Sequence, residues 1–416
     1  MRIYITGLMV KVLLAVALFC LLPAVLMAQT DSITVNHVPI KDTINKTDLI
    51  DIARSVFKFK LRPVSGNERK KFYFSLLPIS STGAANGKTL VTSTTAGFYL
   101  GDQQTTYLSS VDFAPYFNMK GRYGLPIHSS IWLNNNAYNI QGDTRLLVYP
   151  QYTWGLGGGQ PSDNKFLVDY RYLRFYQSAL KHITSSFFAG IGYNLDYYFG
   201  IEDDNSTSKT FSQFTNYKYG TQAGENSFSS GPSVNLLYDT RNNLINPMPG
   251  WYANLVYRYS MVGLGSNNNW QSLYVDVRKY LQLDHSERKN MLAFWTYYWT
   301  ALSPGMPYLN LPSIGMDPYQ RSGRGIDQNR YRGENLFYFE SEYRCDITQN
   351  GLFGFVVFGN INSAAQEGVK RFQYWNPAGG AGLRIKYNKK SGSNICIDYG
   401  FSKDYSSLIV NLGEAF

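Results

Sequence analysis

The sequence is short of several things that would otherwise define its class. Charged residues make up only 16% of its 416 positions. Past the N-terminal end, no apolar run approaches the ~18 residues of a membrane-spanning helix, which excludes a helical membrane protein. The net charge is +10, yet no basic cluster interleaves with stacking aromatics on one element. Nucleic acid is therefore not an expected partner, and anionic lipid head groups or an enclosed lumen account for the basic residues more simply. The four histidines (His37, His128, His182 and His285) do not cluster at metal-ligand spacing. Neither a metal nor any other cofactor is expected.

Aromatic residues are abundant instead, at 16% with 34 tyrosines. The N-terminus reads as an export signal over residues 1–28: Arg2 and Lys11 precede the apolar run Val12–Met27, and polar sequence follows at Ala28-Gln29. Residues 29–71 are too few for a well-packed domain. Within them Thr47-Asp48 can cap an amphipathic helix that ends before Pro63. Leu49, Ile52, Val56 and Phe57 lie on its apolar stripe, and Lys58, Lys60 and Arg62 suit its C-terminal dipole. The Phe57–Leu61 end also alternates, so strand is open there. This segment can plug an opening in the rest of the chain or lie flat on a membrane surface.

From Phe72 to Phe416 the hydrophobic period is two. Phe187, Ala189, Ile191, Tyr193, Leu195, Tyr197 and Phe199 alternate with Phe188, Gly190, Gly192, Asn194, Asp196 and Tyr198. The pattern recurs in Thr144–Gly155, Trp251–Met261 and Ile395–Phe401. About sixteen such strands can be counted, most with long polar connections on one side and short turns on the other, which specifies an all-β antiparallel transmembrane barrel over residues 72–416. The seventh strand is expected from about residue 182. The turn Thr240–Pro249 is longer than its side predicts. Cys345 and Cys396 fall on strands three apart, roughly 14 Å at the usual spacing, with opposite facing. A disulfide, which needs Cα atoms within about 7 Å, is not expected between them.

The stretch Arg321–Glu342 runs from a loop into the twelfth strand. Four arginines (Arg321, Arg324, Arg330 and Arg332) lie in its glycine-rich first half, and Glu340 and Glu342 share the strand face opposite Phe337 and Phe339. If the aromatic face meets lipid, the acids face an enclosed space and the loop arginines are their natural partners. These features resemble the BamA/TamA superfamily of outer-membrane barrels, the surface-antigen family. Arg332-Gly333 lies between strands eleven and twelve, where that family carries an arginine-glycine motif in its sixth outer loop. Phe358-Gly359-Asn360-Ile361-Asn362 aligns with its Phe-x-Asp-x-Gly signature, although Asn360 replaces the acid. The resemblance implies a latch in which Arg332 is held by Glu340 or Glu342, with Asn360 accepting a hydrogen bond. Asp239-Thr240-Arg241 through Pro249-Gly250 is in the family's style. Leu408, Val410, Leu412 and Phe416, placed on one face, resemble the C-terminal signal read by barrel-assembly machinery.

The resemblance implies the outer membrane of a Gram-negative bacterium. It also implies translocation or insertion of protein or lipid, with a separate periplasmic or outer-membrane partner replacing client-docking POTRA modules, for which residues 29–71 leave no room. The alternative is a passive or substrate-specific channel. No enzyme is expected. His128 and Ser130 share an inward face but lack a third orienting group. Glu202–Asn205 lacks the rest of a calcium loop, and Gly155–Gly159 has no following helix to cradle phosphate.

Overall fold

The computed structural model describes residues 46–57 and 72–416, apart from 82–88, 103–104, 119–120, 185, 204–207, 242–245, 248, 285–287, 366–367, 369–370 and 390–391. The expected export signal at 1–28 and the basic residues Lys58, Lys60 and Arg62 lie outside the described residues.

Among the described residues, helix α1 (Leu49–Phe57) precedes a single antiparallel sheet. Its strands are β1 (Phe72–Ser81), β2 (Thr89–Phe98), β3 (Ser109–Phe113), β4 (Tyr116–Asn118), β5 (Tyr123–Trp132), β6 (Tyr138–Val148), β7 (Gln151–Thr153), β8 (Phe166–Thr184) and β9 (Phe187–Asp203). There follow β10 (Ser227–Asp239), β11 (Gly250–Ser260), β12 (Trp270–Gln282), β13 (Asn290–Ala301), β14 (Asn335–Asp346), β15 (Phe353–Ala364), β16 (Asn376–Asn388), β17 (Ser393–Ser402) and β18 (Ser406–Leu412). A five-residue helix, α2 (Phe211–Thr215), lies between β9 and β10.

Two pairs of these segments are halves of one strand. β3 and β4 both pair with β2 and with β5, and β6 and β7 both pair with β8. Pro115 and Pro150 sit at the two breaks, because proline has no N–H to offer the ladder. The described strands therefore occupy sixteen positions, each paired with its sequence neighbour, as the alternation specifies. β1 lies beside β18, but no ladder joins them among the described residues. The seventh strand starts at Phe187 rather than near 182, because β8 runs on to Thr184.

The period of two becomes two chemically different faces. Leu146, Phe175, Ile191, Val357 and Phe401 are exposed on the outside, and near the long-loop end Phe337, Phe372 and Trp375 form an aromatic cluster. The inward set is polar and buried, with Arg145, Asp196, Arg258, Asp276, Arg278, Glu340, Glu342, Arg344 and Asp398 all enclosed. The end with the short turns is packed by Trp132, Leu180, Phe188 and Leu237.

The long turn after β10 has a structural reason. Asn246 reaches across the mouth, donating to the Gly392 carbonyl at 3.0 Å and accepting from Lys289. Helix α1 sits at the same end. The Asp48 carboxylate caps Asp51 N at 2.8 Å and accepts from Lys389 N at 2.8 Å, while Lys389 Nζ pairs with Asp51 at 2.7 Å.

A sheet whose backbone groups are almost all paired resists detergent until heated. The purified protein is expected to run faster unheated than boiled on a detergent gel, and a single heat-independent band would contradict the barrel. Both described cysteines are free thiols, with Cys396 buried on the inner side and Cys345 half-buried. Non-reducing digestion with mass spectrometry should yield no linked Cys345–Cys396 peptide, and finding one would contradict the strand register.

Candidate functional site

The connection between β13 and β14 does not stand out from the barrel. It folds inward, and nearly every residue from Gly305 to Asp317 is buried. The Asp317 carboxylate organises its turn by accepting from Arg321 N at 3.1 Å and Ser322 N at 2.8 Å. Ile314 and Asn329 pair the loop's two arms through Ile314 N to Tyr331 O at 3.0 Å and Asn329 N to Ile314 O at 3.0 Å. The loop then touches opposite parts of the barrel wall.

On one side is Arg324, 3% exposed. Its Nε donates to Glu340 at 3.0 Å, Nη1 donates to Asp398 on β17 at 2.8 Å, and Nη2 reaches both Glu340 and Glu342. Its guanidinium lies 3.7 Å from the centroid of Phe358, and Asn360 Nδ2 donates to its carbonyl at 3.0 Å. Gly325 takes φ +86°, and a Cβ there would stand 2.5 Å from Phe401 N and 2.8 Å from Gly400 C. Only glycine brings the loop this close to the wall.

On the other side is a second charged network that the sequence reading missed. Asp143 holds Arg145 at 2.7 Å and Arg174 at 3.1 Å, and Asp196 holds Arg174 at 3.3 Å and Arg258 at 2.5 Å. The loop joins it through Asn310 Nδ2, which donates to Asp196 at 2.9 Å, and through the Pro318 carbonyl, 3.1 Å from His128 Nε2 and also bonded to Arg145. The period-two alternation placed these residues inside, but nothing in it ties residues 143–258 to a loop beyond residue 300.

The structure corrects the expected pairing of Arg332 with Glu340 and Glu342. Arg332 is fully buried in the loop itself, donating to Tyr308 O at 2.8 Å, Leu311 O at 3.3 Å and Asn329 Oδ1 at 2.8 Å. Its carbonyl accepts from Gly157 N at 2.7 Å. The reason is reach. Glu340 lies five residues below the start of β14, roughly 17 Å at the usual rise per residue. An arginine at the strand's mouth cannot span that, whereas one at the descending turn can. The second Arg-Gly pair, Arg324-Gly325, was the available signal. Gly333 differs from Gly325 in that its Cβ position is closed by Ala365 O at 2.3 Å rather than by the barrel wall at Gly400.

The C-terminal expectation is also corrected. Leu408, Val410 and Leu412 oppose Tyr399, Ile397 and Ile395 on the outer face, but Phe416 does not join them. Gly413, at φ +85°, turns the chain inward, and Phe416 packs within the lumen against Trp295 at 5.3 Å and Tyr280 at 6.2 Å. Preceding it, Glu414 pairs with Arg384 at 2.8 Å and Lys289 at 3.6 Å. Burial pushes the Lys289 ammonium down to about 8, opposed by the neighbouring Glu414 carboxylate.

Of the expected plug residues, Leu49 is half-buried while Ile52 and Val56 are exposed at 37% and 66%. The side chain of Phe57 lies outside what is described. The helix is tied to the turns by its polar end, with Lys389 Nζ donating to Lys46 O at 2.9 Å and Thr47 N to Asn350 O at 3.0 Å. Tyr338 is not an apolar surface for the helix: it stacks on Tyr297 at 5.1 Å and bonds to Glu340.

Comparison with known proteins follows this geometry. The Omp85 superfamily domain matches residues 151–403. Among solved structures, a BamA from Haemophilus ducreyi lacking POTRA domains 1–3 superposes with TM-score 0.51 at 12% identity, covering 87% of this chain and 77% of that one. CdiB from Acinetobacter baumannii gives TM-score 0.55 at 13% identity over 82% of this chain and 60% of its own, and CdiB from Escherichia coli gives 0.51 at 12% over 83% and 61%. The chain thus spans about three-fifths of the length of the two CdiB chains. No curated protein sequence matches it. The family match covers well over half of the chain, and the sixteen strand positions and inward loop agree with it: the chain belongs to the Omp85 superfamily, as a β-barrel of the Gram-negative outer membrane.

Proposed function

We propose that this barrel translocates or inserts protein or lipid with the help of a separate partner protein, and that loop 302–334 is latched in its lumen by Arg324. The observation that carries the reading is the set of acids around Arg324, drawn from β14 and β17, which ties the loop to two wall strands. A passive open channel suits these residues less well, since loop side chains occupy the space between the two charged walls. In this reading Arg332 shapes the outer half of the loop, and Leu408, Val410 and Leu412 remain the segment offered to barrel-assembly machinery.

Arg324→Ala would leave Glu340 with only the Tyr338 hydroxyl, whereas Glu342 keeps Arg344 and Asp398 keeps Arg384. Stranding a buried charge costs roughly 3–5 kcal/mol, so protease nicking within 302–334 from the cell exterior should rise sharply. Arg324→Lys should rescue in part, because the planar fork is lost. Adding Glu340→Gln to Arg324→Ala should recover part of the protection, since the pair is directly coupled. Nicking unchanged in Arg324→Ala would show that the arginine does not hold the loop.

Helix α1 remains the proposed cover of the periplasmic mouth. Deleting residues 47–62 should raise conductance in planar bilayers and sensitise cells to large antibiotics. If the shortened protein inserts and conducts as little as the intact one, α1 is not the seal and the turn 240–249 with the C-terminal residues takes that role. A stable large pore in the intact protein would instead favour the passive channel.

A further inference from the structure

The lumen holds one arrangement that the loop latch does not require. Residues 413–416 double back into the barrel and are buried. Gly413 N donates to Asn394 O at 2.8 Å, and Asn394 Nδ2 donates to Glu414 at 2.7 Å. Arg344 lies 5.1 Å from the centroid of the Phe416 ring and donates to its carbonyl at 2.9 Å. The loop also grips this segment directly, since Arg321 donates to the Glu414 carbonyl.

From Arg324 two chains of ion pairs lead to the same four residues. One runs through Glu342 to Arg344 and the Phe416 carbonyl. The other runs through Asp398 to Arg384 and Glu414. We propose that residues 413–416 are an inner clasp over the short-turn half of the lumen, locked by the same charges as the loop, so that release of the loop and release of the clasp are one event.

The sign of the coupling follows from the partners that the two contacts share. Glu340, Glu342, Asp398 and Glu414 are shared among Arg324, Arg344, Arg384 and Lys289, and Lys386 also lies near Glu414. Withdrawing Glu414 leaves surplus positive charge that competes with Arg324 for Glu342 and Asp398, so the loop is held less firmly. Withdrawing Arg324 leaves surplus negative charge that draws Arg344 and Arg384 away from Phe416 and Glu414. Each loss weakens the other contact, as reciprocal coupling between sites demands. This rests on Arg324 as the loop clamp.

Cys396 supplies a native reporter, because its Sγ lies buried 3.2 Å from the Gly413 carbonyl. In the full-length protein carrying Cys20→Ser and Cys345→Ser, a small membrane-impermeant maleimide added from the periplasmic side should label Cys396 slowly. Glu414→Gln should speed labelling about tenfold, within the usual span of coupling between sites, and raise nicking of loop 302–334 as well. Arg324→Ala should speed Cys396 labelling by a similar factor. Phe416→Ala, which keeps every charge, serves as the second clasp variant, and each variant is scored only on protein that retains the heat shift. Unchanged labelling in both Glu414→Gln and Phe416→Ala would overturn the clasp. Arg324→Ala protein that is nicked in the loop while Cys396 stays protected would overturn the coupling alone. Arg324→Ala protein that is not nicked would overturn the loop clamp beneath it.

Discussion

The interior of this barrel depends on a single constraint: charges removed from water must find partners. Isolated ions in a low-dielectric space carry a large desolvation penalty, so they persist there as paired sets. Arg324 is where that constraint is tightest, with three carboxylates around one guanidinium and the Phe358 ring beneath it. The loop's position, the close approach of Gly325 to Gly400 and the inward orientation of Asn360 all follow from it.

The same rule organises the opposite wall, where Asp143 and Asp196 share Arg145, Arg174 and Arg258 and where Tyr172 and Tyr176 donate to Asp196 at 2.5 Å. A loop anchored at both walls is a rigid strut. Breaking one anchor leaves the other, which is why a single substitution should loosen the loop without unfolding the sheet, whose stability comes from ladders between neighbouring strands.

The short-turn end is built differently. There Asn246 reaches Gly392, Glu414 pairs with Lys289, and α1 is tied to Lys389, the segments proposed above to cover the mouth.

Much of the fold was legible because its cause is local. Strand alternation is written residue by residue, so the sixteen positions, the inward acids at Glu340 and Glu342 and the free thiols at Cys345 and Cys396 could be read directly. The candidate site was only half legible. Two Arg-Gly pairs occur in one loop, and the sequence does not say which of them descends; that is decided by how far β14 carries Glu340 below its mouth. Phe416 looked like the last outward aromatic of a strand until Gly413 turned the chain inward to the partners offered by Arg344, Trp295 and Tyr280. Which face a residue takes is a local property of the chain. Which buried charge it must answer belongs to the closed space, and only the tertiary structure defines that space.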